Sequence, residues 1–163
     1  ATMVGIPYDD VKGWRGPYPA EIFAEQFAKV ARGWAEGLGD LEQAVKKAPG
    51  DKQAEAQAQL RYASAARIYF SSVANQVRFT ALRDALLDKN QSLPEEKRQE
   101  TREAMRKILR EEIQLAQELF PLTRRDSCIG FEASNHYFYV PVDLMEKAIN
   151  CQYILDHVDE LYK

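Results

Sequence analysis

Gln53-Ala-Glu-Ala-Gln-Ala-Gln-Leu-Arg-Tyr-Ala-Ser-Ala-Ala66 decides the fold. The run is rich in strong helix formers and holds neither glycine nor proline. Asp51 stands where a helix N-cap is needed. No breaker follows before Asp88, so the pattern predicts one unbroken helix. At ~1.5 Å per residue it would be on the order of 55 Å long. Tyr62, Ala66, Tyr69, Phe70, Val73, Val77, Ala81 and Leu82 form its inward side. Arg67, Asn75, Gln76, Arg78, Arg83 and Asp84 flank that side closely enough to be partly buried. Buried polar groups need partners, which predicts a hydrogen-bond network along this helix.

Moving towards the N-terminus, Pro49-Gly50 ends an earlier helix that begins at Pro19. Phe23, Phe27, Val30, Trp34, Leu38, Leu41 and Val45 recur at steps of three and four, one amphipathic stripe. Glu21 and Lys46-Lys47 suit the two ends of its dipole. Residues 1–18 read as an extended leader broken by Gly5, Pro7, Gly13, Gly16 and Pro17, with Tyr8, Trp14 and Tyr18 as aromatic surface.

Towards the C-terminus, Ser92 and Glu95 match a capping box, with Pro94 in the first turn. A third helix then runs to about Phe120, where Pro121 is expected to end or kink it. Met105, Ile108, Leu109, Glu112, Ile113, Ala116 and Leu119 mark its faces, and its densely charged first half reads as solvated ion pairs. Residues 126–141 form an aromatic loop. A final helix starts at Pro141 and Asp143, with Leu144, Ala148, Cys151, Ile154 or Leu155, Val158 and Leu161 inward. The expectation is an all-α fold: one domain over 1–163, an up-down antiparallel bundle of about four helices with one long irregular loop before the last.

Composition narrows the function classes. Net charge is -3 with both signs interleaved, against a nucleic-acid binder's basic face. Mean hydropathy is -0.48, and no apolar run approaches the ~20 residues of a membrane helix. The sequence shows no secretory signal, and its Ala1-Thr-Met opening is compatible with a segment upstream. Cys128 and Cys151 read as free thiols.

His136 and His157 lack the Glu-x-x-His spacing of a di-iron bundle, and the Cys and His are too few for structural zinc. No metal or cofactor is expected. Asp126, Ser127 and His136 lack the supporting motif of a hydrolytic triad. Glu132 stands apart among the carboxylates because it sits in the aromatic loop. Its bland reading is an ion pair to Arg78, Arg83 or Arg125. In an extended run Tyr137 and Tyr139 share one face and Phe138 takes the other, as a core anchor.

The stretch Arg125-Asp-Ser-Cys-Ile-Gly-Phe-Glu-Ala-Ser-Asn-His-Tyr-Phe-Tyr-Val-Pro141, continuing to Cys151, resembles the C-terminal helical region of large bacterial polysaccharide-processing proteins related to alpha-glucuronidases. Trp14-Arg-Gly-Pro-Tyr-Pro19 and Phe27-Ala-Lys-Val-Ala-Arg-Gly-Trp34 fit the same region. Cys128 departs from the pattern, where a basic residue is more usual. The resemblance implies an accessory helical module, extracellular or periplasmic, whose catalytic carboxylates lie in a barrel domain outside this chain. No catalytic residue carries over.

The functional expectation is a non-catalytic carbohydrate-binding module. Trp14, Tyr137 and Tyr139 would stack on sugar rings of a polysaccharide or oligosaccharide. Arg15, Glu132, Asn135 and His136 would make polar contacts. The alternative is a structural or dimerisation domain packed against its parent catalytic domain.

Overall fold

The computed structural model describes residues 6, 7, 9–90, 93–132, 136, 137 and 139–163, with backbone alone at 131, 132, 136 and 137. The chain is all-helical. Among the described residues the α-helices are five: α1 (Val11–Arg15), α2 (Ala20–Lys47), α3 (Gln53–Leu87), α4 (Glu95–Arg125) and α5 (Pro141–Leu161). Between α4 and α5, the two-residue segments β1 (Phe131–Glu132) and β2 (His136–Tyr137) pair antiparallel, Phe131 opposite Tyr137.

Local chemistry sets the boundaries. Pro19 takes the N-cap of α2, Glu21 lies in its first turn, and Lys46 and Lys47 in its last. Ala48, held extended ahead of Pro49, stops it. A single 3-10 turn, Gly50–Lys52, then leads into α3. At α5 the Asp143 carboxylate accepts the Val140 backbone N–H at 3.2 Å, closing the first turn.

Three boundaries differ from the sequence reading. The leader is not wholly extended: Asp10 Oδ1 accepts the Gly13 N–H at 2.9 Å and nucleates α1. A Cβ on Gly13 would lie 2.6 Å from Asp10 Oδ2, so the cap requires glycine there. Pro94 is the N-cap of α4, not part of its first turn; Ser92 lies outside the described residues. Helix α4 does not stop near Phe120 but runs through Pro121 to Arg125. Pro121 and Gln117, whose carbonyl loses its helical donor, are both exposed residues.

Helix α3 packs against α2 on one side and α4 on the other, and α4 packs against α5. Helices α2 and α5 make no backbone approach to each other. The apolar interior is accordingly divided. One cluster, Ile68, Leu115, Leu119, Ile129 and Leu144, lies where the loop meets α3. A second, Leu86, Met105 and Val158, joins the C-terminal ends of α3 and α5 to the first turns of α4. The third, Val11, Ala24 and Val77, seats α1 and α2 on α3. A domain usually has one contiguous core. Here, among the described residues, there are three, and beside the third, between Val11, Phe23, Val73 and Val77 on one side and Phe79 on another, lies a space that none of them fills.

Candidate ligand-binding cleft

That space is a cleft of about 520 Å³ between α1–α2 and α5, floored by α3 and α4. Its size lies within the ~300–1,000 Å³ typical of small-molecule sites. Trp14, Phe23, Phe27 and Phe79 supply aromatic walls, and Val73, Val77, Ile108 and Ile154 supply aliphatic ones. Helical spacing explains the α2 wall: Phe23 and Phe27 are one turn apart, edge to face with centroids at 5.1 Å. Phe27 also stacks on Phe70 at 6.5 Å.

Polar groups gather at one end. Glu112 of α4 is buried, its side chain 5% exposed, and its carboxylate lies 2.5 Å from the Lys147 ammonium of α5. Ser72 Oγ donates to Glu112 Oε2 at 2.8 Å, and Asn75 Nδ2 donates to Oε1 at 3.0 Å. Lys147 Nζ also donates to Ser72 Oγ at 2.8 Å and to the Tyr139 hydroxyl at 3.4 Å, and sits 4.6 Å above the Tyr139 ring. Gln76 Nε2 donates to Ser72 Oγ and to the Tyr139 hydroxyl. Each member has partners, as a buried network requires.

The electrostatics follow from this geometry. Burial alone would push the Lys147 ammonium down, but the Glu112 charge, Tyr139 and their hydrogen bonds outweigh it and leave its pKa raised. Burial raises the Cys151 thiol, which also lines the cleft, against an opposing pull from Lys147. Tyr69, packed beside Tyr139 at 5.6 Å, is pushed up to about 12 by burial and by Tyr139. Its hydroxyl is buried without a hydrogen-bond partner among the described residues.

Of the seven sequence candidates, Trp14, Arg15 and Tyr139 have described side chains. Trp14 lines the cleft; its indole N–H donates to the Pro7 carbonyl at 2.8 Å, while 40% of the residue stays exposed. Arg15 folds back on the Tyr18 and Gly16 carbonyls, closing the α1–α2 turn. Tyr139 is half-buried with its hydroxyl engaged, at a left-handed φ of 62°, so it faces the network and presents no open platform. Asn135, and the side chains of Glu132, His136 and Tyr137, lie outside the described residues, as does the Phe138 anchor. The arginines offered to Glu132 are otherwise occupied in two cases: Arg78 holds Glu21 and Glu25, and Arg83 holds Asp84 and Asp9. Asp126 accepts the Cys128 backbone N–H at 3.0 Å and shapes the loop entry, a turn-forming role. Both cysteines are free thiols, Cys128 exposed.

Sequence reasoning missed the Glu112–Lys147 pair. Its signal was a charged residue inside each apolar stripe: Glu112 beside Ile108 and Ala116, Lys147 between Leu144 and Cys151. Among the described residues, no group of three His, Cys, Asp or Glu is placed to hold a metal ion. No helix among them is long and apolar enough to cross a membrane. No protein-family model, curated protein or solved structure matches the chain.

Proposed function

We propose that the chain is a non-catalytic ligand-binding helical module whose ligand seats in the cleft between α1–α2 and α5. The supporting observation is an apolar cleft of about 520 Å³ that ends on a hydrogen-bonded, ion-paired network. Such a combination of apolar walls and a few convergent polar groups is the usual make-up of a small-molecule site. A cleft of this size and lining, open to solvent, has room for a small ligand. The finer architecture we infer is an up-down bundle with its α2–α5 seam left open. The glycan expectation takes a narrower form here. Trp14 offers its ring at the cleft, Tyr139 braces the polar end, and a sugar ring or a ring attached to one is the ligand shape to try first.

Cys151 provides the test. The neutral dye N-phenyl-1-naphthylamine should bind saturably at one site per chain and slow alkylation of Cys151 while leaving Cys128 unaffected. Mono- and oligosaccharides and their aryl glycosides should compete. No saturable dye binding, or unchanged Cys151 reactivity under saturation, would refute the reading.

A second reading rests on α5. Val142, Met145, Ile149 and Tyr153 recur at steps of three and four on its outer face, between 50% and 69% exposed. A helix apolar on both faces is normally covered on both. This favours packing of α5 against a neighbouring domain of a larger protein, and both roles fit an accessory module. Ile149→Glu should leave folding intact and abolish any such association in analytical ultracentrifugation of the longer protein.

A further inference from the structure

The network at the closed end of the cleft has an uneven hydrogen-bonding inventory. Lys147 has three N–H groups, and Glu112, Ser72 and Tyr139 occupy them. Both N–H groups of Gln76 Nε2 go to Ser72 and Tyr139. Acceptor capacity is left over. Glu112 Oε2 takes Ser72 and Lys147, but Oε1 takes Asn75 alone, and a carboxylate oxygen accepts about two bonds. Asn75 and Thr80 also line the cleft, and both residues are more than nine-tenths buried.

Charge points the same way. The charged residues lining the cleft are Asp9, Glu112 and Lys147, two negative and one positive. A carboxylate or phosphate head would meet acceptors and a net negative lining, with the one ammonium already saturated. A cationic head would meet the same acceptors as a hydroxyl, but it must give up an ion's hydration beside a carboxylate whose charge Lys147 already balances, whereas a hydroxyl gives up far less.

We propose that the cleft selects an uncharged amphiphile: a ring or chain body against the aromatic walls, and a hydroxyl-bearing end that donates to Glu112 Oε1, Asn75 Oδ1 and Thr80 Oγ. The proposal rests on the cleft being a binding site and adds the chemistry of its occupant. Simple alcohols and alkyl or aryl glycosides share that chemistry.

Four probes with the same eight-carbon tail separate the possibilities: 1-octanol, n-octyl glucoside below its micellar range, octanoate and octylammonium, at neutral pH. Each is titrated for displacement of N-phenyl-1-naphthylamine and for slowing of Cys151 alkylation on the intact chain. Octanol or octyl glucoside should act at concentrations about tenfold or more below both ions, the scale of one hydrogen bond to a charged group. Thr80→Val should weaken the two hydroxylated probes several-fold more than it weakens the dye, octanoate or octylammonium. Octanoate or octylammonium equalling the alcohol overturns the selection rule while leaving the cleft as a site. Failure of the dye and all four probes to protect Cys151 removes both.

Discussion

Two ion-paired regions join α4 to α5, and they differ in everything except the charges used. Near the middle, Glu112 and Lys147 pair with side chains 5% and 18% exposed, inside a net of Ser72, Asn75, Gln76 and Tyr139. Near the end, Asp159 takes Arg102 at 3.3 Å and Arg106 at 2.6 Å, but is itself 64% exposed. Arg98 and Arg102 also donate to the Tyr162 carbonyl there, helping to close the C-terminus of α5. The end pair clamps two helices whose apolar contacts, Met105 with Val158 and Leu86, already hold them. The middle pair stands beside the Leu115, Leu119 and Leu144 contacts and faces the cleft. The same chemistry serves as a rim fastening in one place and as a polar wall in the other.

The largest expected effect breaks the middle pair. Lys147→Met leaves Glu112 buried without its counter-charge and should cost about 3–5 kcal/mol of unfolding free energy. Adding Glu112→Leu should recover most of that loss, because a packed apolar pair of similar volume is often neutral or better than a buried ion pair. Urea unfolding of the two variants measures both numbers. Recovery of folding in the double variant should come with loss of preference for hydroxylated probes. A single variant costing under ~1 kcal/mol would mean that the pair is far wetter than its geometry indicates.

Asp159→Asn sharpens the contrast from the other side. It removes a partner from two arginines, yet the carboxylate is mostly solvated, so ~0.5–1 kcal/mol is expected. The loss should shrink further at ~1 M salt, where the Debye length falls to ~3 Å. A salt-insensitive cost matching that of Lys147→Met would erase the distinction between the two regions.

How much of this was legible in the sequence follows the same division. Helices α2 and α3 were readable because stripes and breakers are local: Phe23 to Val45 recur at helical spacing, and Pro49-Gly50 punctuates them. The intrusion of Asn75 and Gln76 into the apolar side of α3 correctly announced a hydrogen-bonded network. Its central pair was not announced, because Glu112 and Lys147 lie 35 positions apart and no local pattern joins them. Helix α1 was hidden by its glycines, since the cap from Asp10 depends on Gly13 having no Cβ. Pro121 misled because the hydrogen bond it removes falls at exposed residues, and the helix runs on. The cleft was invisible for a different reason. It exists because α2 and α5 stay apart, and an absent contact leaves no mark on either helix's own periodicity.

The smallest effect concerns Tyr69, behind the middle pair. Its pKa is raised to about 12 in the folded chain, against ~10 when exposed. A raised folded pKa means that the folded state holds the proton more tightly. The resulting stability is fully present below pH ~10 and is lost as pH climbs through about 12. Lys147, also raised, acts in the same direction. Burial raises Tyr162 beside the Asp159 clamp as well, so alkaline unfolding should begin above pH ~10 and draw on both regions. Tyr69→Phe removes a buried hydroxyl with no hydrogen-bond partner among the described residues. At pH 7 it should be neutral or stabilising by up to ~1 kcal/mol, because the hydroxyl's desolvation is uncompensated. Between pH 10 and 11.5 the gain should widen as the variant lacks one of the groups that titrate there. Urea midpoints followed by circular dichroism across that range measure the slope. A Tyr69→Phe variant that is less stable than the parent at every pH would show that the hydroxyl has a partner after all, and that the network beside the cleft extends one residue deeper.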